Sequence, residues 1–141
     1  MFKKIMLAVD LADPDSWQQA LPVAVDLVRQ SGGSLHVVTV APAVSSRLGA
    51  YFPEDANRTI VEQTAADLRA FVAEHVPAGI HVQDIVAQGG IHHELLATAD
   101  TIDADLIVMG SHRPAIRDYL LGANAAHVVR HTPRSVLIVR K

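Results

Sequence analysis

Residues 106–110 read Leu-Ile-Val-Met-Gly, and residues 111–114 continue as Ser-His-Arg-Pro. A run of four apolar residues is typical of a strand that is buried on both faces, which predicts a parallel sheet between two layers of helices. Ligands of such sheets bind beyond the carboxyl ends of the strands. The small-residue turn that follows Met109 is therefore the first place to look for function.

Similar apolar runs recur along the chain and predict the other strands, at Ile5–Val9, Leu35–Val40, Ile80–Val86 and Val136–Val139. Apolar residues at helical spacing predict four helices, over Trp17–Val28, Val61–Val72, Ile91 to about Thr101 and about Tyr119 to Arg130. Asp15 or Ser16 is expected to cap the first helix. Because every connection is long enough for a crossover, the pattern predicts an α/β fold: a single doubly wound domain over residues 1–141, with a five-stranded, mostly parallel sheet and helices on both faces.

The composition excludes several classes of protein. The 141 residues include 12 Lys and Arg, 15 Asp and Glu and no cysteine, for a net charge of -3. The acidic balance gives no general attraction to nucleic acid or anionic membranes, and the lack of cysteine excludes disulfide scaffolds and thiol catalysis. The apolar run after Lys4 is too short for a signal peptide or a membrane span. We therefore expect a soluble, cytoplasmic protein with no nucleic-acid or membrane partner.

Charge is distributed unevenly along the chain. Residues 1–112 carry a net charge of -8, whereas residues 113–141 carry +5. The basic segment is where an anionic ligand is expected. Basic side chains that only cover a solvated face are the alternative interpretation.

One connection is long for a compact fold. Residues 41–56 contain Pro42, Gly49 and Pro53, with Tyr51 and Phe52 between the last two. Loops of this length without secondary structure are often functional. We interpret the segment as a lid or a partner-binding loop, with an ordinary surface loop as the alternative.

The residues that follow the first and the fourth strand are candidates for a ligand site, because ligands bind where the winding of an open sheet reverses. Those residues are Asp10 and Gly110. Residues 120–125, Leu-Leu-Gly-Ala-Asn-Ala, open the last helix with small residues, whose exposed N–H groups suit an anion. A tight turn with close packing of helix on sheet is the alternative.

The whole chain resembles the universal stress protein family, through Val108–His112, Leu120–Gly122, Val128–His131 and Ser135–Arg140. Nucleotide-binding members of that family carry, after the fourth strand, a glycine, two residues, a glycine, nine residues, and then Gly-Ser or Gly-Thr. This chain has Gly110-Ser-His-Arg113, eight residues, and then Gly122-Ala123. The shorter spacer and His112-Arg113-Pro114 are similar to the F- and G-type subgroup. The resemblance implies the strand order 3-2-1-4-5.

The resemblance also implies an adenine nucleotide, ATP or a related one, bound with Mg²⁺ at the switch point. Asp10 would lie near the ribose and act as the metal ligand, and main-chain groups of Val40 would contact the adenine edge. The phosphates would lie along two glycines and His112, in front of the N–H groups that begin the last helix. The implied site residues are Ala8, Asp10, Val40, Met109, Gly110, His112, Arg113, Gly122, Ala123, Asn124 and Ala125.

Two of these residues depart from the family pattern. Arg113 stands at the position of the second glycine, and Ala123 replaces the residue whose hydroxyl meets a phosphate. A guanidinium group binds phosphate in a forked geometry, so Arg113 would supply charge where close backbone approach is lost. Asn124 is the one evident replacement for the hydroxyl.

Several stretches imitate ligand motifs but lack the context those motifs need. Ser31-Gly32-Gly33-Ser34 precedes a strand and is predicted to end a helix. His127 and His131 have the spacing of a zinc helix, but Val128 stands at the position of the required Glu and no third ligand is evident. Asp10, Asp13 and Asp15 lack the Gly and Glu of a calcium loop. His92 and His93 begin a helix and are expected to face solvent.

These features predict an ATP-binding stress-response protein with a binding or signalling role. ATP turnover is expected to be slow at most, because no Gly-Lys-Ser/Thr phosphate loop is present. The resemblance places the last strand, Val136–Val139, at the sheet edge, which predicts a homodimer. The alternative is a nucleotide-independent dimeric interaction module with a degenerate pocket. An adenylating or hydrolytic enzyme is disfavoured because no partnered nucleophile and base lie near Gly110. The sequence does not identify a protein client.

Overall fold

Within residues 1–44, 55–111 and 122–140, which a computed structural model of the protein describes, five β-strands alternate with four α-helices. The strands are β1 Lys4–Ala8, β2 Ser34–Ala41, β3 His81–Gln88, β4 Leu106–Gly110 and β5 Ser135–Val139. The helices are α1 Ala20–Ser31, α2 Ala56–His75, α3 Ile91–Ile102 and α4 Ala123–His131, and a 3₁₀ turn, Pro14–Ser16, precedes α1. The strands and helices predicted from apolar spacing are therefore confirmed.

The strands form one sheet in the order β3-β2-β1-β4-β5, and every neighbouring pair is parallel. Ile5 in β1 pairs with Leu35 in β2 on one side and with Leu106 in β4 on the other. The order 3-2-1-4-5 is thus confirmed. The winding reverses between β1 and β4, which puts the switch point at the ends of these two strands.

Successive side chains of the central strands point to opposite faces of the sheet, so the core has two layers. In β1, Ile5 and Leu7 pack with α1 and α2 on one face, whereas Met6 packs with α3 and α4 on the other face. All three side chains are fully buried. Helices on both faces of a parallel sheet confirm the doubly wound α/β class.

Two helices begin away from their predicted starts, α1 at Ala20 instead of Trp17 and α2 at Ala56 instead of Val61. The predicted cap of the first helix by Asp15 or Ser16 is wrong, because the N-cap of α1 is Gln19, which makes no side-chain capping bond. Asp13 instead caps the preceding 3₁₀ turn, which has Pro14 in its first position. Helix α1 then begins at Ala20, because the proline-initiated turn occupies the residues before it. Helix α4 begins at Ala123, since Gly122 has an extended backbone, and the predicted start near Tyr119 lies outside the described residues. Residues 45–54 and 112–121, which include most of the long connection, lie outside the described residues.

The glycine pair after α1 ends the helix, as predicted. Gly32 adopts φ 69°, and its N–H donates to the Val28 carbonyl at 2.9 Å. Gly33 passes so close to β1 that a Cβ there would lie 2.0 Å from the Lys3 carbonyl oxygen. This close approach requires a glycine at position 33, so no bound ligand is needed to explain the second glycine.

The amino ends of the strands are closed by side chains from the chain itself. The Asp105 carboxylate accepts from the N–H groups of Lys3 and Lys4 at 2.8 and 2.9 Å, and these two bonds lower its pKa. The Lys3 ammonium donates to the Ser31 carbonyl at the end of α1 at 2.6 Å. The Arg134 guanidinium donates to the Ala104 carbonyl at 2.7 Å, just past the end of α3.

Among the described residues, no helix has the length and apolar character needed to cross a bilayer.

Candidate functional site

A cavity of about 490 Å³ opens at the switch point, between the carboxyl ends of β1 and β4. The end of β2 and the first turns of α3 and α4 complete its walls. Nine of the eleven predicted site residues line it: Ala8, Asp10, Val40, Met109, Gly110, Gly122, Ala123, Asn124 and Ala125. The other two, His112 and Arg113, lie outside the described residues.

Six lining residues were missed by the sequence analysis: Val9, Asp13, Ser16, Thr39, Ile91 and Leu95. A polar residue in an otherwise apolar strand was a usable signal for Thr39, which is only 5% exposed and donates to the Val9 carbonyl at 2.9 Å. Ile91 and Leu95 fall within the predicted third helix, but their orientation toward β1 depends on how α3 packs.

The turn after β1 is held by the Ser16 hydroxyl. Ser16 Oγ accepts from the Asp10 N–H at 2.9 Å and lies within donating distance of the Asp13 carbonyl at 2.7 Å. Asp13 Oδ1 accepts from the Asp15 N–H at 3.1 Å, which caps the 3₁₀ turn. Asp10 Oδ1 accepts from the Ala12 N–H at 3.0 Å. The backbone of its own turn thus holds the Asp10 carboxylate at the mouth of the cavity.

Gly110 lets β4 end directly against this turn. A Cβ at Gly110 would lie 2.8 Å from the Ser16 carbonyl oxygen and 3.1 Å from that of Asp15. Side chains do not approach backbone atoms so closely, so the contact requires glycine at this position. Gly110 therefore sets the distance between the two strand ends that border the cavity.

The peptide groups of Val40 border the cavity on the β2 side. Successive residues of a strand direct their peptide groups toward opposite neighbours. The Val38 carbonyl accepts from the Val9 N–H at 2.9 Å, toward β1, and the Ala41 carbonyl accepts from the Gly89 N–H at 3.0 Å, toward β3. Val40 accordingly faces the β1 side. Because β1 has already ended at this level, the N–H and C=O of Val40 face the cavity instead of a neighbouring strand.

The start of α4 forms the opposite wall. The first hydrogen bond of this helix runs from the Ala126 N–H to the Gly122 carbonyl at 2.9 Å. The N–H groups of Ala123, Asn124 and Ala125 therefore have no partner within the helix. The first turn of α4 also contains no acidic residue and has no side-chain cap. Free N–H groups and the helix dipole make this wall favourable for an anion.

The cavity thus has walls of opposite electrostatic character, with Asp10 and Asp13 on the β1 side and the start of α4 across from them. A polyphosphate between the two walls would be attracted by α4 and repelled by the carboxylates unless a cation screened them. In the part of the chain that the structure describes, no three His, Asp or Glu side chains are arranged to hold a metal ion. The residues fit a Mg²⁺ ion that keeps water and phosphate ligands and takes one carboxylate from Asp10.

The histidines of α3 and α4 differ from expectation in one respect. His93 is exposed, as predicted, but His92 is half-buried, and its ring stacks on His127 at 3.7 Å between centroids. His127 also contacts His131, at 4.2 Å. The expectation that His92 faces solvent is wrong, because its partner comes from a different helix. The rings of His92 and His127 lie face to face, and among the described side chains the three histidines do not form a metal-binding group.

The chain matches the model of the universal stress protein family over residues 1–140. Universal stress protein G of Escherichia coli O157:H7 is 29% identical over 143 residues, which cover 99% of this chain and 100% of that protein. The similarity therefore extends over the candidate site as well as the sheet.

Solved structures show the same fold. Protein MJ0577 of Methanocaldococcus jannaschii superposes with a TM-score of 0.74 at 22% identity, covering 100% of this chain and 97% of that one. A universal stress protein in complex with cAMP gives a TM-score of 0.63 at 21% identity, covering 99% and 97%. The Archaeoglobus fulgidus protein in complex with dAMP gives 0.60 at 22% identity, covering 99% and 98%.

Proposed function

The chain belongs to the universal stress protein family, and we propose that it is a stress-response protein that binds an adenine nucleotide in the switch-point cavity. The observation that carries this proposal is the pair of opposite walls. The free peptide groups of Val40 match the hydrogen-bonding edge of a base, and the free N–H groups at the start of α4 match a phosphate. Two related proteins, solved with cAMP and with dAMP, bind ligands that carry both groups.

ATP with Mg²⁺ is the form we propose for the nucleotide. A carboxylate that is fixed by its own turn, as Asp10 is, supports a phosphate-bound Mg²⁺ ion without further protein ligands. When bound, Mg²⁺ would neutralise phosphate charge facing Asp10 and Asp13. The Thr39 and Ser16 hydroxyls are both committed to backbone groups, which supports binding over rapid turnover.

Calorimetric titration of ATP and Mg²⁺ tests the site. ATP at 100 times its Kd should stabilise the fold by roughly 2.7 kcal/mol. Asp10→Asn should weaken binding at least about tenfold, the low end of the range for a hydrogen bond to a charged group. Asp26→Asn removes an exposed carboxylate from α1 and should leave binding unchanged.

Gly122→Asp separates binding from folding more sharply. Gly122 has φ -61° and ψ 155°, which any residue adopts, and an Asp there would cap α4 with its own carboxylate. The variant should keep or slightly raise the stability of the fold, yet lose ATP binding, because the helix N–H groups are occupied and the added charge repels phosphate. Gly122→Ala is the matched control, without a cap or a charge.

Unchanged ATP binding in both Asp10→Asn and Gly122→Asp would contradict this assignment of the site. Failure of the wild-type protein to bind ATP, AMP or cAMP would contradict the function itself. The nucleotide-independent interaction module would then be the better interpretation.

We also propose that the protein forms a homodimer through β5. Within the described residues β5 pairs only with β4, so its outer edge presents unpaired peptide groups. Two such edges in antiparallel contact would give a symmetric dimer. Light scattering should give twice the 15.2 kDa chain mass, and Ile138→Pro should give monomers. A wild-type monomer at micromolar concentration would contradict the proposal.

A further inference from the structure

Three histidines form a stack between α3 and α4. The ring centroids of His92 and His127 are 3.7 Å apart with planes 24° from parallel, and those of His127 and His131 are 4.2 Å apart at 38°. His92 belongs to the first turn of α3, whereas His127 and His131 lie one turn apart on α4. The stack is thus a contact between two helices.

The contact favours a neutral ring at His127, which lies between the other two. Two imidazolium ions at this separation repel each other, more strongly where water is partly excluded. The Nδ1 atom of His92 is buried and has no hydrogen-bond partner among the described residues, so a proton there would lack an acceptor. Desolvation, followed by the charges of His92, His131 and Arg130, lowers the pKa of His127 below its ordinary value of 6.5. All three of these neighbours are bases.

The acidic side chains of α3 and of its C-cap residue are engaged away from the stack. Glu94 lies over Gly89, where an added Cβ would meet its Oε1 at 2.9 Å. Asp100 and Asp103 bind the Arg134 guanidinium, each at 3.1 Å. Protonation of the stack would therefore place like charges between the helices without a nearby carboxylate from α3 to offset them.

The same two helices form walls of the cavity. Ile91 and Leu95, which flank His92 on α3, line it, as do Ala123 and Asn124 one turn before His127 on α4. A change in the spacing of the helices at the stack therefore changes the width of the cavity between them.

We propose that the stack of His92, His127 and His131 is a proton-sensitive latch, which holds α3 against α4 at neutral pH and loosens the nucleotide cavity on acidification. This regulation rests on the nucleotide site proposed above. Because a bound nucleotide contacts the wall that α4 provides, it favours the closed latch, and protonation weakens binding. Imidazolium charge that simply attracted phosphate would have the opposite effect.

The latch is tested first without nucleotide. Imidazole NMR should show that His127 titrates below 6.5 in the wild-type protein. Hydrogen-exchange protection of the α4 amides, corrected for intrinsic rates, should fall about threefold or more between about pH 7.5 and about pH 5.5. His127→Phe keeps an aromatic ring in the stack but cannot be protonated, so its protection should not fall. His93→Phe, at the exposed neighbour of His92, should behave as the wild type does.

The nucleotide readout follows. The Kd for AMP should rise about threefold more in the wild type than in His127→Phe over the same pH range, equivalent to half a pKa unit of linkage. Titration of the phosphate itself cancels in this ratio. Tighter wild-type binding at acid pH, an equal change in both proteins, or a His127 that titrates at or above 6.5 would each overturn the latch. If AMP binds neither protein at any pH, the proposed function fails, and the exchange comparison still decides the latch.

Discussion

The two ends of the sheet use the same kinds of residue for different purposes. At the amino end, Gly33 lies against the Lys3 carbonyl, and the Asp105 carboxylate accepts hydrogen bonds from two backbone N–H groups. At the carboxyl end, Gly110 lies against the Ser16 carbonyl, and Asp10 accepts one backbone N–H. The amino end is closed by these contacts, whereas the carboxyl end surrounds a cavity of about 490 Å³.

Helix direction explains the difference. In a parallel sheet with helical crossovers, helices end at the amino edge and begin at the carboxyl edge. The chain brings its own cations to the helix ends, with the Lys3 ammonium on the Ser31 carbonyl and the Arg134 guanidinium at the end of α3. Within the described residues, it brings no anion to the start of α4. The amino end is electrostatically complete, whereas an anion from the proposed ligand would complete the start of α4 at the carboxyl end.

The largest effect is expected from Gly33→Ala at the closed end. A Cβ 2.0 Å from the Lys3 oxygen requires β1 and β2 to move apart, which should cost about 3 kcal/mol of unfolding free energy, the upper end for overpacking. Urea unfolding measures the loss. ATP affinity of the folded fraction should not change, because the substitution is at the opposite edge of the sheet.

Gly32→Ala is the matched control at the neighbouring residue. A Cβ there meets nothing within 4 Å, so only its φ of 69° matters, and the cost should be about 1 kcal/mol. Equal losses in the two variants would contradict the close approach of Gly33 to β1.

Gly110→Ala should affect both stability and binding. A Cβ 2.8 Å from the Ser16 carbonyl should displace the turn that holds Asp10, at a cost of about 2 kcal/mol. ATP should bind more weakly in titrations on the folded protein, unlike in Gly33→Ala. A Gly110→Ala protein with the ATP affinity of the wild type would show that the turn does not position the nucleotide.

This contrast also explains what could be predicted from the sequence. Apolar runs identified the strands, and the rule that ligands bind beyond parallel strand ends led to Asp10 and Gly110, whereas Val40 was implied only by the family resemblance. Ser16 was predicted only as a helix cap, because its contact with the turn after β1 depends on how that turn packs against Gly110. The orientation of His92 depends on His127 on another helix, so no local pattern contains it.

Asp105→Ala should mainly lower the stability of the fold, whereas Asp10→Ala should mainly abolish ATP binding. Asp105→Ala removes an acceptor from two exposed N–H groups and should cost about 1 kcal/mol after solvent screening, without an effect on ATP binding. Asp10→Ala loses one such bond and should cost about 0.5 kcal/mol. It should nevertheless lose ATP binding. Denaturant unfolding measures the stability of both variants, and calorimetry measures their ATP affinity. Similar losses of ATP affinity in the two variants would contradict this expectation.

The smallest expected effect is the dependence of stability on pH, to which one histidine near each end of the sheet contributes. Desolvation lowers the pKa of His36, which bonds Ser34 and Gln83 toward the amino end, and of His127 beside the cavity. A lowered folded-state pKa means that the unfolded chain binds more protons below about 6.5, so stability is present above that pH and is lost as the pH falls. Urea unfolding between about pH 7.5 and about pH 5.5 should show this loss, because the range brackets the titration of ordinary histidines. His36→Gln and His127→Phe should each remove part of it, and only His127→Phe should also reduce the pH dependence of AMP binding. A wild-type protein that gains stability on acidification would contradict this separation of the two ends. So would a His36→Gln variant that reduces the pH dependence of AMP binding.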